Sequence, residues 1–241
     1  MPELSPRPLR RVGHKGAHHI VPGNTRGSFD AALKAGVDMI EFDILRERAP
    51  GARLLIAHDY EDAAARDPFT LGEALEHLAG RAFAEVELDL DLKLPGYERE
   101  VLDALRAVGL LERALISTQY PASLAVLRAL EPTVRLGWSV PKLRRDPFRS
   151  RALAVPSLAA LQVARAGLPA RAAAAIRAGR CDALMAHWRL VTPRLVRHVQ
   201  AAGGELYVWT VDDAARIRAL EALGVTGVIT NDPRLFGVPA T

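Results

Sequence analysis

Side chains two residues apart on an extended strand leave from the same face, so Glu41-Phe42-Asp43 presents two neighbouring carboxylates. The run Glu85-Val-Glu87-Leu-Asp89-Leu-Asp91-Leu-Lys93 repeats that parity, with Leu88, Leu90 and Leu92 on one side and Asp89, Asp91 and Lys93 on the other. Carboxylates gathered inside a protein are costly unless they meet a cation, a lysine or trapped water. A hard divalent cation answers that need, with Glu41, Asp43 and Asp91 as oxygen ligands of the kind Mg²⁺ and Ca²⁺ prefer. His14 and His58 each close a short apolar run. A lone histidine is more often a hydrogen-bonded structural residue, but two imidazoles near a metal and a phosphate could act as general acid and general base. His18 and His19 show no obvious partner, and His77 and His198 fall on helical segments and read as surface residues.

Alternating Asp and Leu fits equally well a two-faced antiparallel strand with one side in water. The wider chain favours the inward reading. Short β-rich runs alternate with helix-length segments from end to end, the rhythm of βαβ units. Barrel strands are expected over residues 9–14, 37–44, 85–93, 114–117, 134–138, 183–186, 206–210 and 227–230. A further run, 54–58, follows Ala49-Pro50-Gly51 and should fold back on the second strand. The expected fold is therefore α/β, a (β/α)8 TIM barrel with a hairpin after the second strand and a helical insertion before the sixth barrel strand. In such a barrel the site lies at the C-terminal ends of the strands, where the histidines and carboxylates fall.

Helix signals occupy the crossovers. Asn24-Thr25 and Ser28 precede a helix stopped by Gly36, Thr70 precedes one stopped by Gly80, and Thr192-Pro193 precedes one stopped by Gly203. Residues 155–179, rich in Ala, Leu and Arg and interrupted by Pro156 and Pro169, read as an inserted helical pair.

A length of 241 residues with 49% hydrophobic content suits one domain over 1–241. No apolar run of 18 residues appears and the opening residues do not read as a secretory signal, so stable membrane insertion is not expected and a cytoplasmic protein is. Cys181, the single cysteine, reads as core filling. A net charge of +4 is too mild to argue for nucleic acid. The basic run 142–151 reads as a solvated loop, with attraction for anionic lipid or phosphate as the alternative.

Gly13-His14-Lys15-Gly16-Ala17, Pro22-Gly23-Asn24-Thr25, Ser28-Phe29, Gly36-Val37-Asp38-Met39-Ile40-Glu41-Phe42-Asp43 and His58-Asp59 together resemble the glycerophosphodiester phosphodiesterase signature. Asp91-Leu92-Lys93, Val208-Trp209-Thr210-Val211 and residues 224–233 extend the likeness over nearly the whole chain. The resemblance implies that His14 and His58 are an acid/base pair, that Glu41, Asp43 and Asp91 bind the metal, and that Lys93 stabilises charge on the phosphate. It also implies that Trp209 rims the substrate pocket. The partner so implied is a small-molecule or lipid phosphodiester, cleaved to glycerol phosphate and an alcohol, with a route through a cyclic phosphate where a hydroxyl flanks the ester. Three positions depart from the pattern: Lys15 replaces an arginine, so that the implied phosphate contact becomes a point charge instead of a bidentate fork, Gly23 replaces a glutamate and Asp91 a glutamate. Asp91-x-Lys93 also looks like the phospholipase D branch of the same barrel, so phospholipase D-like or lysophospholipase D-like activity is the alternative. A barrel that binds phosphodiesters without turnover is the non-enzymatic one. Head group, choice of cation, the split of roles between the histidines and oligomeric state are not encoded in these motifs.

Overall fold

The computed structural model describes residues 8–48, 52–142 and 154–237. Eight parallel strands close on themselves: β1 (Arg10–His14), β2 (Met39–Arg46), β4 (Glu87–Leu92), β5 (Ala114–Thr118), β6 (Arg135–Val140), β7 (Ala183–His187), β8 (Glu205–Trp209) and β9 (Gly227–Thr230), with β1 pairing both β2 and β9. Strand β3 (Leu54–Ile56) lies antiparallel to β2 as the expected hairpin. This is the (β/α)8 barrel read from the chain's rhythm. The hairpin's second arm is shorter than expected, so His58 stands beyond it, in the loop.

Strand alternation separates two cores. Leu88, Leu90 and Leu92 face outward and are buried with the helices, while Val12, Met39, Leu115, Ala183, Met185, Tyr207 and Ile229 form a separate cluster inside the barrel. The barrel's lower mouth carries a charged network. Arg135 donates to Glu87 and Glu205, each at 2.7 Å, and Arg10 donates to Glu87 at 2.8 Å and to the Tyr207 hydroxyl at 2.7 Å. The lowest acidic rung of β4 is thus neutralised by arginines and only its upper rungs are left for chemistry.

Outside lie α1 (Arg26–Lys34), α2 (Tyr60–Ala65), α3 (Leu71–Leu78), α4 (Glu98–Ala107), α5 (Pro121–Leu130), α6 (Ala154–Arg177), α7 (Pro193–Ala201) and α8 (Ala214–Ala222). Thr25, Thr70 and Thr192 cap α1, α3 and α7, as their positions before the apolar periodicity foretell. The helical segment ahead of the sixth barrel strand is one 24-residue helix, not a pair. Pro169 lies inside it; the lost N–H costs one backbone bond, which alanine-rich flanks and the buried Leu168, Ala172 and Ala173 offset. Among the described residues no helix is long and apolar enough to cross a membrane. Residues 1–7, the Ala49-Pro50-Gly51 turn and all of the basic run except Lys142 lie outside the described residues.

Candidate active site

Strand register builds the site in rungs. His14 is level with Glu41 on the adjacent strand, Glu41 with Asp89, and Asp43 with Asp91. Oxygens of Glu41, Asp43 and Asp91 lie within 4.8 Å of one another at the upper ends of β2 and β4, so the shorter Asp91 reaches the cluster. Lys93 Nζ contacts both Asp43 and Asp91, and Lys15 Nζ lies 3.4 Å from Asp43 Oδ2. Three carboxyl groups face two ammonium groups, a formal excess of one negative charge, and Asp91 Oδ1 is buried without a hydrogen-bond partner. An all-oxygen set with an orphaned acceptor suits a hard divalent cation.

Electrostatics follow the packing. Burial, then the neighbouring Asp43, pushes the Glu41 carboxyl well above its ordinary range. Burial acts the same way on Asp43, but the ammonium groups of Lys93 and Lys15 outweigh it and hold that carboxyl far below. Burial would lower Lys93, yet Asp43 and Asp91 keep it firmly charged. One rung down, burial pushes Asp89 up to about 7, with Ser117 pulling the other way.

The loop after β1 brings the first strand's groups to the acidic cluster. Lys15 adopts φ 52° and Asn24 φ 58°, a left-handed conformation uncommon outside glycine. Asn24 N donates to Lys15 O at 3.0 Å, its Nδ2 to Asp43 Oδ2 at 2.8 Å, and its Oδ1 accepts from Asp43 N at 3.2 Å. Lys15 N donates to Glu41 Oε2 at 2.9 Å. Gly23 permits the fold of this loop, since a Cβ there would lie 2.7 Å from Lys15 Cβ. His18, which has no obvious partner in the sequence, accepts from Gly23 N at 3.0 Å through Nδ1.

His14 Nε2 lies 3.8 Å from Glu41 Oε2 and its Nδ1 lies 2.6 Å from Asn231 Oδ1. The Asn231 amide is oriented by Asp212, whose carboxylate accepts from Nδ2 at 2.6 Å. Because the amide nitrogen must face Asp212, the oxygen faces His14. His14 therefore carries its proton on Nδ1 and presents the Nε2 lone pair to the acidic cluster. Burial, then Lys15, pulls the His14 pKa down to about 4, so the ring is neutral at physiological pH. His58 is half exposed, with Nδ1 2.9 Å from Asp59 Oδ2. Its backbone N–H donates to Asp62 at 2.9 Å, and Arg66 holds Asp62 while reaching Asn24 O and Ile56 O.

Both histidines, Glu41, Asp91, Lys93 and Trp209 line one cavity of about 390 Å³. Trp209 Nε1 donates to Met185 O at 2.9 Å, and its ring meets His187 edge-on. Six of the eight residues singled out in the sequence therefore line this cavity, and the other two, Asp43 and Lys15, stand beside it in the ion-paired cluster with Lys93. Asn24, Asn231 and Asp212 escaped that reading. Asn24 stood in a quoted motif, but its partner lies on another strand.

Comparison with known proteins agrees with the geometry. The glycerophosphoryl diester phosphodiesterase family matches over residues 70–235. A glycerophosphodiester phosphodiesterase of Caldanaerobacter subterraneus subsp. tengcongensis is 24% identical over 257 residues, covering 92% of this chain and 93% of the relative. That alignment is long enough to take in motifs ahead of residue 70. A Silicibacter pomeroyi DSS-3 structure superposes with a TM-score of 0.74 at 19% identity, covering 96% of this chain and 92% of the other. An Oleispira antarctica phosphodiesterase in complex with the product sn-glycerol-3-phosphate superposes at 0.65 with 20% identity, covering 94% of each chain. At these identities the two structures speak for the fold.

Proposed function

Since this chain belongs to the glycerophosphoryl diester phosphodiesterase family, we propose that it hydrolyses glycerophosphodiesters to glycerol phosphate and an alcohol, with residues 1–241 acting as one catalytic domain. The observation that carries the reading is the convergence of Glu41, Asp43 and Asp91 oxygens within 4.8 Å, in a cavity lined by His14 and His58. A Mg²⁺ or Ca²⁺ ion held by those three carboxylates would supply Lewis-acid polarisation of a phosphate oxygen. Lys93 and Lys15, which now neutralise those carboxylates, would with a cation bound turn to the phosphate and stabilise its developing charge. Neutral His14, with its Nε2 lone pair toward the cluster, is the base that accepts a proton from the nucleophile. His58, held by Asp59 at Nδ1, is the acid that returns a proton to the departing alkoxide. Where the substrate places a hydroxyl beside the ester, that hydroxyl is the first nucleophile and a cyclic phosphate precedes the final product. Trp209 packs against the organic part of the substrate.

Phosphorus NMR with glycerophosphocholine and with a lysophospholipid, with EDTA and then Mg²⁺ or Ca²⁺ add-back, tests this reading. Cation-dependent release of glycerol phosphate is expected. Cation-independent turnover rejects the ligand set, preference for the lysophospholipid favours the lysophospholipase D-like alternative, and no turnover with either favours a binding barrel. Replacing His14 or His58 with alanine should slow turnover by about 10²- to 10⁴-fold.

A further inference from the structure

Beneath the ion site the cavity has a polar floor that the reaction does not use. Asp89, Ser117 and Ser139 line it beside Met185 and Ile229. Asp89 is 1% exposed; the Ser117 hydroxyl approaches it as a donor, and neither carboxylate oxygen closes a full hydrogen bond. Nearby cations are committed elsewhere: Arg135 to Glu87 and Glu205 below, Lys93 to Asp43 and Asp91 above. A second ion is not favoured, because the carboxylates whose oxygens converge within 4.8 Å are Glu41, Asp43 and Asp91, without Asp89. A buried carboxylate so short of donors is costly and calls for donors brought by a ligand or solvent.

We propose that Asp89, with Ser117 and Ser139, recognises the hydroxyl groups of the substrate's glycerol arm and so sets the enzyme's preference for glycerol-bearing diesters. The inference rests on the function proposed above. A diol donates to a carboxylate while accepting from serine hydroxyls, so it matches both halves of this floor. An ammonium head group only donates, and would offer the serine O–H groups no acceptor. The depth of the rung fits as well: Asp89 is level with Glu41, one pleat below the Asp43–Asp91 rung, so a phosphate held through a cation on the carboxylate cluster would drop one arm into the barrel. A site built around a substrate hydroxyl discriminates strongly against analogues that lack it, because its own polar groups are then left unpaired.

The test uses three chromogenic diesters sharing a p-nitrophenyl ester, with glycerol, ethyl or 2-aminoethyl as the other arm. The wild-type enzyme should prefer glycerol over ethyl in kcat/KM. Asp89→Leu should erode that preference by about tenfold or more, chiefly through KM, while the ethyl substrate changes less than about twofold. Asp89→Asn, which keeps one acceptor, should fall between. An unchanged preference, an equal loss on both substrates, a wild-type preference for the 2-aminoethyl arm, or a weakened cation requirement in Asp89→Leu each overturns the proposal. Independently of any variant, sn-glycerol 3-phosphate should inhibit the wild-type enzyme at least about tenfold more tightly than ethyl phosphate; equal inhibition overturns it too. A wild-type protein that cleaves no glycerol diester with any cation defeats the proposed function itself, whereas turnover without the Asp89 effect defeats the glycerol-arm assignment alone.

Discussion

Asn24 and Asp43 are joined twice: Asn24 Nδ2 donates to Asp43 Oδ2 at 2.8 Å, and Asp43 N donates to Asn24 Oδ1 at 3.2 Å. The pair spans the loop after β1 and the inward face of β2, and it fixes the rotation of a carboxylate that faces two lysines. An outer partner that orients a metal-binding carboxylate raises the affinity of the site without touching the ion.

Asn24→Gly isolates that contribution, because glycine accepts the φ of 58° at no steric cost. Calorimetric titration of the variant should give a divalent-cation dissociation constant raised by about 10- to 100-fold. The cation-free protein should lose about 1–3 kcal/mol of stability, as a buried acceptor loses its donor. Wild-type cation affinity in a folded variant would show that Asp43 needs no such anchor.

Gly23 and Lys15 depart from the family pattern together, and the structure links them. A methyl group at Gly23 would sit 2.7 Å from Lys15 Cβ and 2.8 Å from His18 Nδ1, closer than packed atoms allow. Gly23→Ala should therefore displace the loop that carries Lys15, costing about 1–3 kcal/mol in thermal or urea unfolding and lowering turnover. Full activity and stability in that variant would mean that the loop has a second conformation open to it.

Cys181 lies far from this chemistry and reports on the fold alone. Burial pushes its thiol up to about 11, against an ordinary value near about 8.5. The folded protein therefore holds a proton that the unfolded chain releases. The contribution to stability is intact below about pH 8.5 and is lost as pH rises through about 11. At pH 8 alkylation of Cys181 should be slow in native protein and fast in urea, since the thiolate is the reactive form; equal rates would contradict its burial.

What the sequence revealed was whatever a short-range period could carry. Spacing by two gave Glu41, Asp43 and the charged face of β4, and caps and glycine stops gave the helices. Asp91 is the rung of that face that reads as joining Glu41 and Asp43, although Glu87, Asp89 and Asp91 look alike in the chain and no local period separates them. Register decides it: Asp43 pairs Asp91, while Arg10 and Arg135 neutralise Glu87. Asn24 and Asn231 were silent for the same reason, each acting through a partner on a distant strand. Pro169 misled in the opposite direction. It marks a break in most local readings, yet a long buried face carried the helix through it.

His14 owes its tautomer to Asp212, two contacts away. Asp212 accepts from Asn231 N at 2.8 Å and Nδ2 at 2.6 Å, and from Thr230 Oγ1 at 3.0 Å. With that carboxylate removed the Asn231 amide is free to turn, and an NH₂ facing His14 would favour the proton on Nε2, where the base role proposed for His14 needs a lone pair. Asp212→Ala should therefore lower kcat by about tenfold, much less than loss of the imidazole itself. KM should hold, because Asp212 is exposed and does not line the cavity. Nitrogen NMR of the histidine ring separates this from a merely structural role. The wild-type ring should be protonated at Nδ1 and the variant should show the Nε2–H form. A variant that keeps the wild-type tautomer and the wild-type kcat would remove Asp212 from the chain of control.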